Sequence, residues 1–480
     1  MGVTITLCMD GHGAQDLSRT ELLDLVAELR ADNAALKERV AALEVALAKA
    51  RKNSSNSSKP PSSDIVKPPA QEHGGGAHHI GAQPGHPRHE RTAFPPERVD
   101  RRVDHTPKRC PDCGGSLQPE AEPALVVQQI EFVAQPFQVT EHVAANCRCG
   151  RCGASVYAQL PPEVEAAGLV GPKLSAHLVW LKTRAHVSYS NLQVYLHDAF
   201  DLQVSRGLLD KVVQKAGHGL RPVWDELYRA VRSESRLHVD ETGHPEAGHK
   251  LWTWVFRARW FTLYVIARSR GSKILEQVLG RMFQGVLHAD YFSAYRKYIG
   301  AHNILAQFCL AHFIRDALFL KDLSDPATRR YGARVVRRLR HLFRVLHWRE
   351  RYATPETFQR ALERARDRLR QAVLQAPERT EPQNLARRFR KHGDDYLRFV
   401  TTPDVDPTNN LAEQALRFTV LNRRMTQGTR SPNGRRARET LWTIAQTCTQ
   451  QGRSFYGFLV DALSAHFTRR PLPSLLPAGP

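Results

Sequence analysis

The sequence predicts a multidomain α+β chain. Its core is a mixed sheet with flanking helices and a large helical insertion, preceded by a coiled coil, a zinc-binding module and helix-turn-helix-like helices. Three observations carry that expectation: leucines at heptad spacing from Leu22 to Leu47, two Cys-x2-Cys knuckles, and closely spaced β-rich runs at 237–290 followed by a long Arg-rich helical stretch. A length of 480 residues allows roughly two to four domains and a large core. The balance of 69 Lys+Arg against 48 Asp+Glu leaves a net charge of +21. A surplus of that size favours a polyanionic partner, because each phosphate contact releases a condensed counterion. Nucleic acid is the first expectation, although a ribosomal or membrane-surface role would carry the same sign. No stretch approaches the roughly 20 apolar residues of a membrane span. No basic region followed by an apolar core opens the chain, so no secretory leader is expected. Five of the eight cysteines sit between 110 and 152, which suits a metal site in a reducing compartment better than a disulfide framework. A cytoplasmic protein is expected.

The coiled coil is assigned to residues 18–51. Position d is Leu22, Leu29, Leu36 and Leu43; position a is Val26, Asn33, Val40 and Leu47. β-branched residues at a, leucine at d and one Asn in the seam favour a parallel pair in fixed register. Across the pair, Asp32 would face Lys37 and Arg39 would face Glu44. An amphipathic helix on a globular core fits the same spacing, but polar Asn33 is awkward there. RKNSSNSSKPPSSD (51–64) and the Pro/Gly/His-rich run after it cannot pack a core, so 52–95 reads as a flexible linker with solvated histidines.

Residues 96–160 read as a zinc-binding domain. RCPDCGGSL (109–117) is answered by NCRCGRCGASV (146–156), so Cys110, Cys113, Cys149 and Cys152 would form a closed four-thiolate structural site. Cys147 competes with Cys149, but only Cys149 has the two-residue spacing. A redox pair is the weaker reading. Residues 168–232 read as helices; SYSNLQVYLHDAF (188–200), a short turn, and SRGLLDKVVQKAG (205–217) capped by Ser205 match a helix-turn-helix, a pattern that many helical pairs share without touching DNA.

LHVDETGH (237–244) reads as a strand that delivers Asp240 to its C-terminal end. KLWTWVFRA (250–258) and WFTLYVIARSRG (260–271) suit an antiparallel pair after it, followed by a helix capped by Ser272. GVLHADYFSAY (285–295) again runs from apolar residues into an acid, Asp290. Two such carboxylates on neighbouring strands would repel unless a divalent cation lay between them. A third acid, Glu413, lies in PTNNLAEQALR (407–417), where Pro407 and Thr408 open a helix and the Asn pair caps it. Two acids at strand ends and one on a helix is the order found in RNase H-like nucleotidyl transferases.

On these residues the chain resembles the insertion sequence 66 transposase family, a DDE type. The resemblance rests on SSNSSKPPSSD, GAQPGH (81–86), CPDCGG (110–115), VDETG (239–243), ADYFSAY (289–295), CLAHFIR (309–315), TNNLAEQALR (408–417) and RMTQGTRSPNG (424–434). It implies an acidic triad of Asp240, Asp290 and Glu413 and an RNase H-like catalytic domain over 233–455. It also implies a helical insertion at about 305–400, with 456–480 left as a tail. The chain departs from the family at CLAHFIR, where a Trp is usual, and at Glu413-Gln414, where Glu-Arg is usual. Cys309-x2-His312 has metal-like spacing without a second pair and reads better as part of a core helix.

The implied function is transposition. The chain would bind the terminal inverted repeats of its element, cut DNA ends with Mg²⁺ (or Mn²⁺), and join the 3′-hydroxyl to target DNA, with Zn²⁺ purely structural. Candidate DNA contacts are Ser205 and Arg206, Arg337 and Arg338 in the basic stretch 330–351, and Asn410, Arg417, Arg423 and Arg424. Expected partners are double-stranded DNA, a second or further copies through the coil, and small accessory proteins of the same element, in a nucleoid-associated setting. The rival readings are an RNase H-like nuclease or resolvase without joining activity, and a catalytically silent DNA-binding regulator.

Overall fold

The computed structural model describes residues 18–50, 95–102, 137–148, 152 and 155–477. The described residues fall into two compact units, one within 1–68 and 146–480 and one within 69–145. In the second, the described residues hold a short 3-10 turn, Pro96–Arg98, and an irregular segment over 137–145.

In the first unit, α1 (Arg19–Ala50) is a single helix of 32 residues. Its heptad leucines lie open in the single chain, with Leu29 59% and Leu43 64% exposed. The ribbon β1 (Asn146–Arg148) and β2 (Ser155–Tyr157) is antiparallel. Of the cysteines expected to bind zinc, Cys110, Cys113 and Cys149 lie outside the described residues, and Cys152 is exposed. Helices follow: α2 (Pro162–Ala167), α3 (Pro172–Thr183), α4 (Tyr189–Phe200), α5 (Arg206–Gly219) and α6 (Arg221–Ala230). Proline in the first turn of α2, α3 and α6 sits where no intrahelical N–H bond is lost. The hydroxyls of Ser188 and Ser205 accept from the backbone N–H groups of Asn191 and Leu208, so each serine starts a helix.

The sheet is built from β3 (Arg236–Glu246), β4 (His249–Arg257), β5 (Thr262–Ala267), β6 (Val286–Ala289) and β7 (Ala306–Phe308), in the order β5-β4-β3-β6-β7. The first three strands are antiparallel; β6 and β7 run parallel to β3. The turn Ala247–Gly248 has positive φ at both residues, which closes the β3–β4 hairpin with the twist that two-residue loops require. Parallel pairing needs crossovers, and these are α7 (Lys273–Leu279) and α8 (Ser293–His302).

After β7, α9 (Leu310–Lys321), α10 (Pro326–His347), α11 (Pro355–Leu374) and α12 (Thr380–Leu397) pack on one another through Phe313, Val335, Leu339, Leu369 and Phe389. The chain then returns to the sheet with α13 (Asn410–Thr426), α14 (Pro432–Gln450) and α15 (Phe455–Phe467).

Three expectations need correction. Asp240 is not at a strand end: β3 continues to Glu246, because the hairpin with β4 extends the ladder six residues past it. Ser272 precedes α7 without making a side-chain cap. The stretch expected as a tail is folded over its described residues, 456–477, since Phe458, Leu459, Ala462 and Leu463 of α15 are buried in the same core as Ala176 of α3. That core also joins Val213 and Leu227 to Val239 and Phe256, so the helices before the sheet share its interior.

Candidate active site

Alternation along β3 decides which side chains can meet. Leu237, Val239 and Glu241 point to one face, and His238, Asp240 and Thr242 to the other. On the first face, Leu237 and Val239 join the large core with Trp254, Phe256 and Leu263. On the second, Val255, directly opposite Asp240, packs with Tyr264 against Ala412, Ala415 and Leu416 of α13 and Trp442 of α14. Burial of those apolar side chains presses α13 onto the Asp240 face.

The pairing register brings the two aspartates level. Residues 236–238 of β3 pair with 286–288 of β6, ending at His238 opposite His288. Asp240 and Asp290 each stand two residues beyond that last pair, so they share its face where the two strands part. Beneath them the His238 and His288 rings stack at 3.9 Å. Asp290 turns its Oδ1 to the Phe292 N–H at 2.9 Å, and Asp240 Oδ1 accepts from the Glu241 N–H at 2.8 Å.

Glu413 sits in the first turn of α13, and Asn409 fixes where that turn lies. The Asn409 side chain does not cap its own helix, contrary to the expectation for the Asn pair. Its Nδ2 donates to the Val239 carbonyl at 2.8 Å, its Oδ1 meets His238 Nδ1 at 3.3 Å, and its backbone N–H donates to Cys309 Sγ at 3.2 Å. One buried amide thus ties the start of α13 to the residue before Asp240. Arg423, three turns on, donates to Thr242 Oγ1 at 3.2 Å and to the Gly243 carbonyl. Sequence reasoning passed over Asn409 in favour of its exposed neighbour Asn410. An Asn doublet before a helix is the one available signal, and it cannot say which member turns inward.

The electrostatics mark the place as short of positive charge. Asp240 is held well above the usual carboxylate range by burial, then by the charges of Glu241, Asp290 and Glu413. Asp290 is raised by burial and by Glu413, against the Phe292 N–H and Arg270. Glu413 Oε1 is buried without a hydrogen-bond partner among the described residues. His312 Nδ1 lies 3.8 Å from it, but burial lowers that imidazole to about 4, so it is neutral near pH 7 and brings no cation. Among the described residues, the group of ligand-type atoms lying within 4.8 Å of one another is Cys309, His312 and Glu413. Asp240 and Asp290 are not members of that group.

The adjacent acid, Glu241, is dealt with differently. Arg270 Nη2 and Nε reach its Oε1 at 2.7 and 2.8 Å, and the Tyr295 hydroxyl donates to Oε2.

The remaining candidates lie apart. Ser205 spends its hydroxyl on the α5 cap, while Arg206 beside it is exposed. Arg337 of α10 is exposed and Arg338 half-buried; Asn410, Arg417 and Arg424 are exposed on α13.

Residues 167–437, from the end of α2 into α14, match the Transposase IS66 family. The chain belongs to that family. Membership supports a transposase role. The match spans both aspartates, Glu413 and the whole insertion. Residues 13–92 match a family of unknown function, DUF6444. Among curated relatives, the uncharacterized protein y4hP of Sinorhizobium fredii is 26% identical over 403 residues, covering 76% of this chain and 72% of that protein. The uncharacterized protein y4jD of the same organism is 26% identical over 238 residues, 45% of this chain and 46% of its own. Among the described residues no helix is long and apolar enough to cross a membrane.

Proposed function

We propose that this IS66 family member is a DDE-type enzyme that cuts and joins DNA, with Asp240, Asp290 and Glu413 as its acidic triad. One observation carries the reading: two aspartates level in register on β3 and β6, faced by a glutamate on a helix whose start is bonded to the strand carrying Asp240. The strand order, three antiparallel strands followed by two parallel to the first, is the one expected of an RNase H-like domain.

The donor set fits a hard divalent cation. It is made of carboxylate oxygens, one of them buried without a partner, and Arg270, the cation that acts on Asp290, is already engaged by Glu241. Bound there, Mg²⁺ or Mn²⁺ would supply the charge that polarises a DNA phosphate and lowers the pKa of an attacking water or hydroxyl. Asp240, Asp290 and Glu413 would act as ligands rather than general bases. Asn409 and Arg423 hold α13 against β3 and so set the distance between the Glu413 and Asp240 carboxylates. In the first step a water oxygen bonds to phosphorus and the P–O3′ bond breaks, releasing a 3′-hydroxyl. In the second that hydroxyl attacks a phosphorus of target DNA and a target 3′-oxygen leaves.

The exposed cations Arg206, Arg337, Arg417 and Arg424 would carry the DNA backbone. The open leucine seam of α1 would pair two copies, and the four cysteines would hold structural zinc. The test is cleavage and joining of a DNA end from the element by purified protein. Asp240→Asn should lower the Mg²⁺-dependent rate on the order of 10³-fold while DNA binding persists. Cleavage that survives the change ends the triad assignment, and nicking without joined product reduces the chain to a nuclease.

A further inference from the structure

A cavity of about 580 Å³ lies away from the acids, between α3, α4 and α5 on one side and the end of α13, the segment 428–431 and α14 on the other. We propose that it is a nucleotide site that takes one unstacked nucleotide of a DNA strand, phosphate toward Lys182, Arg206, Arg430 and Arg438, base against Tyr189 and Met425. The inference rests on the DNA reading above and adds a binding site to it.

Charge comes first. Four cations line the cavity against one acid, Asp210, and Asp210 already accepts from Gln214 Nε2 at 2.6 Å. None of the four forms an ion pair with a carboxylate among the described residues. Lys182, buried in α3, donates to the Val187 carbonyl at 2.9 Å. Arg438 donates through Nη1 to Thr426 Oγ1 and the Gly428 carbonyl, both at 3.0 Å. Both therefore hydrogen-bond to neutral partners, with Asp210 the acid that acts on each: Lys182 is lowered to about 8 by burial, then by Arg438, and Arg438 to about 10 by burial. One acid against four cations leaves an excess of withdrawn positive charge, which is costly, and a phosphate would offset that cost.

Size and surface agree. A volume of about 580 Å³ suits one small ligand. Tyr189 supplies a ring, with Lys182 Nζ 4.3 Å from its centroid, and Met425 supplies an exposed thioether. Aromatic faces bind bases without regard to sequence.

The wall is rigid and tied to the catalytic strand. Thr429 exchanges backbone hydrogen bonds of 3.0 Å with Pro245 and Ala247, and its hydroxyl meets His244 Nε2 at 3.0 Å. Gly428, at φ +90°, lies so close to Pro245 that a Cβ would collide with its carbonyl. The wall thus grips β3 about six residues past Asp240, roughly 20 Å at ~3.4 Å per residue. A strand entering the acids lies within reach, and exposed Arg206 and Arg430 leave the rim open to a continuous chain rather than only to a free nucleotide.

Photo-crosslinking tests this. The full chain is irradiated with 5-iodouracil-substituted single strands and with duplexes carrying an unpaired end, and adducts are mapped by peptide mass spectrometry. The expected adduct is on Tyr189, persists in Asp240→Asn, and falls about tenfold in Arg206→Glu/Arg430→Glu. Both arginines are exposed, so the melting temperature should stay at wild type; Arg206→Gln alone is the milder variant and should show a smaller loss. Adducts confined to other segments, or undiminished in both variants, overturn the proposal while leaving the DNA reading intact. Competition by dTMP as strong as by oligonucleotide overturns the strand assignment. A protein that binds no DNA at all overturns the function on which the inference rests.

Discussion

Asp240 and Glu241 are neighbours in one strand and meet opposite fates. Glu241 points into the large core, where Arg270 and Tyr295 close around it. Even so, burial and the charge of Asp290 push it up to about 7. Asp240 points to the other face, and the charges that act on it are those of three carboxylates, Glu241, Asp290 and Glu413. Glu241 has donors around it, whereas Asp240 has other carboxylates, the arrangement that the proposed cation site would need. The difference arises from the pleat alone, since adjacent residues of a strand face opposite ways.

The comparison can be broken most directly by exchanging the burdens. Asp240→Asn should cut cleavage on the order of 10³-fold yet keep or raise the melting temperature of metal-free protein, because it removes charge repulsion. Arg270→Met should do the reverse in stability, leaving Glu241 buried without its cation at a cost of about 3–5 kcal/mol, read by chemical denaturation. Equal melting temperatures for Arg270→Met and wild type would show that Glu241 does not depend on the pair. Tyr295→Phe should cost less, about 1.5–3 kcal/mol.

Asn409→Ala sharpens the role of α13. It removes the bond to the Val239 carbonyl, and the Mg²⁺ concentration for half-maximal cleavage should rise about 10–100-fold, as for other groups that hold metal ligands. An unchanged Mg²⁺ titration would make Asn409 a purely structural residue.

The smallest effect concerns His244, which bonds Thr253 and Thr429 from the Asp240 face and is lowered to about 3 by burial, then by Arg438. A depressed imidazole contributes stability that is present above its ordinary value of 6.5 and is lost as pH falls toward 3. His244→Gln should flatten the acid limb of the stability curve between those values, and an unaltered limb would refute this.

Much of this was legible in the chain. The β-rich runs become β3, β4 and β5, the basic stretch becomes α10, and Ser188 and Ser205 start their helices, because periodicity and capping act within a few residues. The extent of β3 past Asp240 was not legible, since a partner strand sets it, and neither was the inward turn of Asn409 rather than Asn410. The final helix read as a tail because its apolar residues meet their partners on α3, some 280 positions earlier in sequence.

By itself the sequence determined local matters: which segments coil or extend, which carboxylates stand in family-specific surroundings, and how strongly the chain seeks polyanions. Only the tertiary structure decided which of two adjacent acids is neutralised and which is left facing others. It also decided that Lys182 and Arg438, 256 positions apart, share one cavity. The physical reason is that hydrogen-bond register and burial, which act between segments distant in sequence, determine where a charge ends up and what stands opposite it.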